Sequence, residues 1–535
     1  MRAELSLQED DFTFDKFDNV NLTNSSLRTI PVRLHQSADQ IVRLVLSCNP
    51  MLEIPLDFIQ SCTNLRDLHL SNMFMKRVPQ SVRHATSLIR LDMSANRLSD
   101  LSDALLDNIA SLDGLDLHCN RLQTLPWYFP RMDSLTKLNV ANNRLKTFPH
   151  ILFKMENLSH LDLSFNDLDE LPSEVSCLRW LIEFKITGNR IPRLPPSLAE
   201  LRRLEILDCE RNRIADISIA CELPCLTSLH AAYNSISSLR LNVGPHLNIL
   251  DVSHNDITQL SLQFSLHSPA LAELNLSYAK LSSIDDATLG ALTSLRTLSI
   301  NHNTFTSLPE SLCQLRHLTR LICSDNKLTA LPENIGQLES LRELDAHNNS
   351  LSDLPVSIWN CAKLETLNLT SNLLGNWDDP PVIRRESEVE EDARYSRKGS
   401  VVSLTPVPVL PPLAHSLKRL YLGENHLIDE VLHVLMIFKE LRILNLSFNE
   451  FQDMPASFFT NLNLLEELYL SGNKLASLPT EDLPRLQYLK RLYLNGNKLQ
   501  TLPQELGKVK NLMVLDVGSN LLRYNITNWE FDWNW

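Results

Sequence analysis

Three tyrosines near the C-terminal end of the chain form the strongest candidate binding surface in the sequence. They occupy the same place in related leucine-rich segments, and a charged residue stands two positions before each of them. The full set is Arg419, Tyr421, Glu467, Tyr469, Arg491 and Tyr493. Rigid aromatic rings close to arginines are typical of the energetic centres of protein–protein interfaces. The pattern predicts a partner-binding patch; the alternative is that the tyrosines only pack against one another and stiffen the structure.

Two serines follow basic residues, in a pattern that basophilic protein kinases favour. Ser387 follows Arg384 and Arg385, and Ser400 follows Arg397 and Lys398. A phosphate on either serine would add about two negative charges and change how this segment contacts the rest of this acidic chain. Such patterns also arise by chance in charged segments, so Ser387 and Ser400 are candidates for phosphorylation.

Residue patterns for catalysis or for a resident cofactor are missing from the sequence. The chain has 12 glycines and no glycine-rich phosphate-binding loop. Asp113 and Gly114 lie inside a leucine-rich segment, so they do not indicate a phosphatase metal site. His230 and His254 occupy successive segments, but no full set of metal ligands accompanies them. We expect no catalytic residue, no metal site and no cofactor in this chain.

A repeat of 23 or 24 residues positions these candidates. Segments of the form L-x-x-L-x-L-x-x-N recur, as in Leu112–Asn120 and Leu158–Asn166. Of 21 such asparagine positions, all hold asparagine except Ser25, Met73 and Ala279. The leucines predict a short strand with one buried face, and the asparagine amide can pair with backbone groups where the chain turns inward. The expected fold is an α/β repeat solenoid: a leucine-rich repeat horseshoe with a parallel concave sheet.

Two regions interrupt the repeat. Four successive repeats between 212 and 279 lack the proline that follows the asparagine in 13 other repeats, and we expect altered curvature there. Asn372 and Asn425 are 53 residues apart, which leaves a surplus rich in charge, serine and proline that should be disordered. The predicted organisation is a polar lead-in at 1–16, repeats at 17–376, this insertion at 377–415, repeats at 416–524, and an aromatic junction to a following domain at 525–535.

Composition narrows the function classes. The net charge of −14 argues against nucleic acid as a partner, because binding phosphates requires clustered lysine and arginine. No run of apolar residues is long enough to suggest an integral membrane segment, and the polar first 18 residues do not resemble a signal peptide. The ten cysteines are scattered and do not form disulfide-rich caps. These features predict a cytoplasmic protein and oppose a secreted receptor ectodomain.

The repeats resemble those of cytoplasmic proteins that work with Ras-type GTPases. The long array, the late Ser/Pro-rich insertion and the aromatic segment from Asn520 to Trp535 are similar to the leucine-rich repeat region of Ras-responsive fungal adenylate cyclases. The resemblance covers about residues 17–535, and its aromatic end looks like the junction where those enzymes continue into phosphatase-like and cyclase domains.

That resemblance implies a regulatory, protein-binding role. The parent enzyme would make cyclic AMP from ATP with magnesium, and the repeats would receive a Ras-type small GTPase. A lipidated GTPase would then recruit the protein to the membrane surface. The alternative is a stand-alone cytoplasmic leucine-rich repeat scaffold that gathers a small GTPase and a phosphatase. The reading frame beyond Trp535 distinguishes the two.

Overall fold

Each repeat contributes one short strand with a buried central residue. The computed structural model describes residues 18–51, 53–264, 270–381 and 410–523. At the centres of two typical strands, Leu115 and Leu161 are 2% and 1% exposed, whereas the residues on either side of each leucine are partly exposed. This alternation follows from strand geometry, in which successive side chains point to opposite faces. The partly exposed side is called the strand face below.

The chain divides into two compact units. The N-terminal unit comprises Met1–Ile236 and Leu241–Val252, and the C-terminal unit comprises Ser237–Arg240 and Ser253–Trp535. The strands of the N-terminal unit are Asn19–Asn21, Arg43–Val45, Asp67–His69, Arg90–Asp92, Gly114–Asp116, Lys137–Asn139, His160–Asp162, Glu183–Lys185, Ile206–Asp208, Ser228–His230 and Ile249–Asp251. In the C-terminal unit, the strands of the parallel sheet are Glu273–Asn275, Thr297–Ser299, Arg320–Ile322, Glu343–Asp345, Thr366–Asn368, Arg419–Tyr421, Ile443–Asn445, Glu467–Tyr469, Arg491–Tyr493 and Val514–Asp516. Within each unit, each of these strands pairs in parallel with the next one along the chain, which confirms the predicted parallel sheet.

Short helices return the chain from one strand to the next. The α-helices are Val32–Gln36, Leu56–Ser61, Ser218–Cys221, Asp286–Ala291 and Val431–Leu435. The 3-10 helices are Ala38–Gln40, Gln80–His84, Leu106–Asn108, Phe129–Arg131, His150–Lys154, Ser173–Cys177, Pro196–Glu200, Glu310–Gln314, Ile335–Gln337, Val356–Asn360, Pro412–His415, Leu483–Arg485 and Gln504–Lys508. Many follow a proline, which lacks an N–H and therefore suits a position outside the sheet. In the described part of the chain, no helix has the length and apolar composition needed to cross a bilayer.

The asparagines, one in nearly every repeat, form a ladder of amides that pair with backbone groups, as predicted. Asn166, which is 7% exposed, is representative. Its Oδ1 accepts a hydrogen bond from the Leu145 N–H at 3.0 Å. Its Nδ2 donates to the carbonyls of Val140 at 3.1 Å and Leu163 at 3.0 Å. The same amide therefore pairs with backbone of its own repeat and of the preceding one, which holds adjacent turns together.

The residue that directly precedes the asparagine position of each repeat adopts a left-handed backbone conformation in repeat after repeat. Phe165 and Phe448 have φ values of 52° and 56°, and their rings are 53% and 57% exposed. Gly188 and Gly472 hold the same place in the following repeats, with φ values of 67° and 66°. A Cβ on Gly472 would lie 2.3 Å from the Phe448 ring, so the phenyl ring occupies the space that the glycine leaves free.

The two interruptions have different structures. The proline-free repeats contain two longer strands, Ser238–Val243 and Gln259–Phe264, and the division between the two units falls in the same region. At the second interruption, Trp377 is 3% exposed and its ring centroid lies 5.1 Å from that of Trp359 and 5.7 Å from that of Phe438. Trp377 and the helix Pro412–His415, both assigned to the insertion from the sequence, therefore belong to the folded array. Residues 382–409 and 524–535, and with them Ser387 and Ser400, lie outside the described residues.

Candidate protein-binding surface

The predicted tyrosine patch lies on the strand face of the C-terminal unit. Strand register aligns Tyr421 with Asn445, Asn445 with Tyr469, and Tyr469 with Tyr493. The rings of Tyr469 and Tyr493 stack, with centroids 4.8 Å apart and planes inclined by 5°. Such a pair contributes about 0.5–1.5 kcal/mol beyond the area that it buries. The tyrosines therefore do pack against each other, as the alternative interpretation predicts, and both rings remain partly exposed.

Glu467 connects the aromatic pair to a cation. The Tyr469 hydroxyl donates to Glu467 Oε2 at 2.6 Å, and Arg491 Nη1 lies 2.6 Å from Glu467 Oε1. Glu467 can hold both partners because Glu467 and Arg491 are aligned in adjacent strands, while Tyr469 follows Glu467 by two residues. The Arg491 side chain remains 51% exposed, which leaves much of its guanidinium free to contact another molecule. These four residues, Glu467, Tyr469, Arg491 and Tyr493, are called the tyrosine cluster below.

The acidity of Tyr469 reflects this arrangement. Burial, followed by the hydrogen bond to Glu467 and the charge of that carboxylate, raises the pKa of Tyr469 to about 12. The hydroxyl therefore remains protonated and keeps donating to Glu467 well above neutral pH. The cluster presents a fixed, neutral aromatic surface beside a charged guanidinium, a combination that is enriched in interface hot spots.

The other two residues of the predicted patch lie apart from the tyrosine cluster. Arg419 and Tyr421 are on a strand separated from Glu467–Tyr469 by the strand Ile443–Asn445. Arg419 Nε donates to Thr366 Oγ1 at 2.8 Å, on the strand that precedes the insertion. Burial is the main cause that raises the pKa of Tyr421. The six predicted residues therefore share one face, but only four of them form a contact cluster.

A depression on the strand face of the N-terminal unit was not predicted. It has a volume of about 370 Å³ and is centred on the strand Gly114–Asp116. Arg90 and Lys137 align with Gly114 in the two neighbouring strands. Gly114 has no side chain at a position where its neighbours have long ones, so it leaves a notch between two cations. The sequence signal was present, because Gly114 occupies an outward-facing strand position, but it was weighed only as a metal motif.

Two aspartates on the same face contact histidines. His69 Nδ1 lies 3.2 Å from Asp92 Oδ2, and His118 Nδ1 lies 2.7 Å from Asp116 Oδ1. Hydrogen bonds from His69 and from Ser94 outweigh partial burial and lower the pKa of Asp92. The face therefore alternates acidic and basic groups around the notch, which gives it polar character without a strong single-sign field.

The repeated strand, the asparagine ladder and the outward-facing polar residues are together typical of leucine-rich repeat proteins. The chain belongs to the leucine-rich repeat family. The family described as "Leucine rich repeat" matches residues 86–145, 110–168, 245–305, 269–328, 316–374 and 439–499. Among solved structures, YopM from Yersinia enterocolitica is 26% identical, with a TM-score of 0.56 over 95% of this chain and 88% of that one. The Arabidopsis receptor kinase HAESA, at 21% identity and a TM-score of 0.58 over 93% of this chain and 81% of its own, shares the fold alone.

The curated relatives are more specific. An adenylate cyclase of Mycosarcoma maydis is 46% identical over 97% of this chain, and one of Podospora anserina is 37% identical over 97%. An adenylate cyclase of Schizosaccharomyces pombe is 30% identical over 84%. This chain spans only 22%, 28% and 27% of these three relatives, respectively. The chain is thus similar, along nearly all its length, to the leucine-rich repeat region of fungal adenylate cyclases.

Proposed function

We propose that this chain is the protein-binding regulatory solenoid of an adenylate cyclase, and that its strand face receives a Ras-type small GTPase. The tyrosine cluster is the observation that carries the binding role. It combines a stacked aromatic pair, a carboxylate held by two partners and an exposed arginine. The similarity to adenylate cyclases over 97% of the chain supports the regulatory setting in cyclic AMP synthesis.

The same proposal extends to the parent protein. Phosphatase-like and cyclase domains would follow the repeats, and magnesium would serve the cyclase domain, with no role for it in the repeats. The protein would work in the cytoplasm and would reach the membrane surface through the lipid anchor of the GTPase. If instead the reading frame stops directly after Trp535, the chain is a stand-alone scaffold.

The first test is capture of a Ras-type GTPase by the 535-residue chain, with the GTPase loaded with a non-hydrolysable GTP analogue or with GDP. We expect recovery only with the GTP state. Truncating both stacked rings, by Tyr469→Ala with Tyr493→Ala, should weaken capture at least about tenfold, since truncation of a hot-spot residue costs about 2 kcal/mol or more and a tenfold change corresponds to about 1.4 kcal/mol. Equal recovery in both nucleotide states, or none in either, would remove the GTPase-receiving role.

Two variants locate the contact. Tyr488 is 56% exposed and lies outside the strands, so Tyr488→Ala is a matched tyrosine control that should leave capture unchanged. Gly114→Leu fills the notch of the N-terminal unit, where an added Cβ would meet only Arg90 Cγ, at 3.6 Å. If Gly114→Leu abolishes capture while the double tyrosine variant does not, the GTPase contacts the N-terminal unit and the tyrosine cluster serves only to stiffen the sheet.

A further inference from the structure

Three potential metal ligands converge on the strand face of the N-terminal unit. Glu210, His230 and Asp251 each offer one ligand atom, and the three atoms all lie within 4.8 Å of one another. His230 Nδ1 is 3.9 Å from Glu210 Oε1. All three side chains are partly buried, so they are neither deep in the core nor fully hydrated. Among the described residues, this is the one such group of three or more potential ligands.

The repeat explains why these residues meet. His230 is aligned with Asp208 in the strand before it and with Asp251 in the strand after it. Glu210 follows Asp208 by two residues and therefore points to the same face. Ala232 stands in its own repeat where Glu210 stands in the preceding one, so the repeat of His230 supplies no second carboxylate at that place.

Several carboxylates lie close to His230. Burial is the largest cause that raises the pKa of Glu210, and the negative charges of Asp208 and Asp251 raise it further. His230 and Arg211 act in the opposite direction without reversing the shift. Arg211 is also engaged elsewhere, because its guanidinium carbon lies 4.3 Å from the centre of the Tyr233 ring. The carboxylates of Asp208, Glu210 and Asp251 thus lie close to one imidazole, and carboxylate oxygens with an imidazole nitrogen are ligands that divalent transition metals take.

A histidine in the C-terminal unit shows the ordinary, balanced case. His347 Nδ1 lies 2.7 Å from Asp345 Oδ1, and His347 Nε2 lies 3.5 Å from Asp325 Oδ2. Asp325 also accepts from Asn348 Nδ2 at 2.5 Å and lies 3.2 Å from His302 Nε2. The carboxylates around His347 therefore already have close partners. The contact between His230 and Glu210 is longer than these, at 3.9 Å.

We propose that Glu210, His230 and Asp251 bind one divalent transition-metal ion across three successive repeats. One imidazole nitrogen and two carboxylate oxygens suit zinc, manganese and related ions, and solvent would complete the coordination. Bonds of about 2.0–2.2 Å place neighbouring ligand atoms about 3.0–3.6 Å apart, so the cluster must contract by roughly 1 Å. Partly exposed side chains on a fixed sheet can make that movement by small rotations. Metal binding at this site does not depend on the proposed GTPase partner.

Asp208 positions the site from its edge. Its Oδ1 accepts from Thr187 Oγ1 at 2.5 Å and from the Glu210 N–H at 3.2 Å. These bonds fix the carboxylate beside His230 and orient the backbone that carries Glu210. Outer residues of this kind tune the affinity of a metal site without necessarily touching the ion.

Manganese binding to the untagged 535-residue chain tests the site, because Mn²⁺ has little affinity for the exposed thiols of Cys177 and Cys225. Electron paramagnetic resonance of free Mn²⁺ should show one bound equivalent per chain. His230→Ala and Glu210→Gln should each weaken binding at least about tenfold. His347→Ala, the matched control, should bind as the wild type does.

Two results would overturn the proposal. One is the absence of any manganese binding, and the other is equal binding by the wild type, His230→Ala and Glu210→Gln. Circular dichroism of each variant checks folding. Should His230→Ala unfold, His230→Gln keeps a neutral polar side chain of similar length, and it must show the same loss of binding for the proposal to stand.

Discussion

Replacing one ladder asparagine should loosen two repeats at once. Asn166→Ala removes the acceptor of the Leu145 N–H, at 3.0 Å, and the donor to the carbonyls of Val140 and Leu163, at 3.1 and 3.0 Å. An orphaned buried N–H costs about 1–3 kcal/mol, and the carbonyls that lose a donor add to this cost. We expect a total loss of about 2–4 kcal/mol, which corresponds to a factor of about 30 to 700 in the local opening equilibrium.

Hydrogen exchange measured by mass spectrometry is the suitable assay, because long repeat arrays can unfold in parts and then lack a single free energy of unfolding. Peptides that contain Leu145 and Leu163 should exchange faster by that factor in Asn166→Ala. Asn157 is exposed, and its Nδ2 makes one bond, to the Asp133 carbonyl at 2.7 Å, so Asn157→Ala is the matched control and should change exchange less than threefold. Similar exchange in the two variants would refute the energetic role that we assign to the ladder.

Three further predictions concern the C-terminal unit. An unfolded tyrosine loses its proton near pH 10, whereas folded Tyr469 keeps its proton to about pH 12, so the free energy of unfolding should fall between these two pH values. Glu467→Gln should lower the pH midpoint of Tyr469 deprotonation, measured by ultraviolet absorbance, and an unchanged midpoint would contradict the contact between the two residues. Gly472→Ala and Gly496→Ala should each cost about 1–2 kcal/mol for a left-handed alanine, and Gly472→Ala should cost about 1 kcal/mol more in urea unfolding because an aromatic ring of the preceding repeat must move. Trp377→Ala should lower the free energy of unfolding by about 3–5 kcal/mol, whereas Trp377→Phe should lower it far less, since the indole N–H has no hydrogen-bond partner among the described residues. Equal losses of stability in thermal unfolding of the two variants would show that packing does not explain the burial of Trp377.

The repeat could be predicted from the sequence because the same residues specify the same local structure in every repeat. A leucine every second residue and an asparagine at the inward turn specify the strand and the ladder without reference to distant residues. Tyr469 and Tyr493 occupy the same position in successive repeats of the sequence, which predicts that they are aligned in adjacent strands. The observed strand register confirms that alignment. Met73 shows the tolerance of the rule: at its ladder position the side chain is fully buried, and its N–H still donates to Asn96 Oδ1 at 3.0 Å.

Features that depend on side-chain conformation or on absent side chains were not predictable in this way. Arg419 was grouped with the tyrosines, but its guanidinium turns to Thr366 across the long insertion. The notch at Gly114 arises because Arg90 and Lys137, which align with Gly114 in the two neighbouring strands, have long side chains and Gly114 has none. In the sequence, His230 and His254 are a pair of potential metal ligands in successive repeats, without further ligands, and the pattern predicts no site. In the structure, the potential partners of His230 are carboxylates at two different places of the repeat, and the ring of His254 stacks on Tyr278 at 4.0 Å.

The most direct test of the binding role is the dissociation constant of the GTP-loaded GTPase for the wild-type chain and for the variant with Tyr469→Ala and Tyr493→Ala. We expect measurable binding in the GTP state only, a dissociation constant raised at least about tenfold in the variant, and a thermal unfolding midpoint that changes little. Equal dissociation constants for the two chains, both folded, would contradict the assignment of the tyrosine cluster as the surface that receives the GTPase.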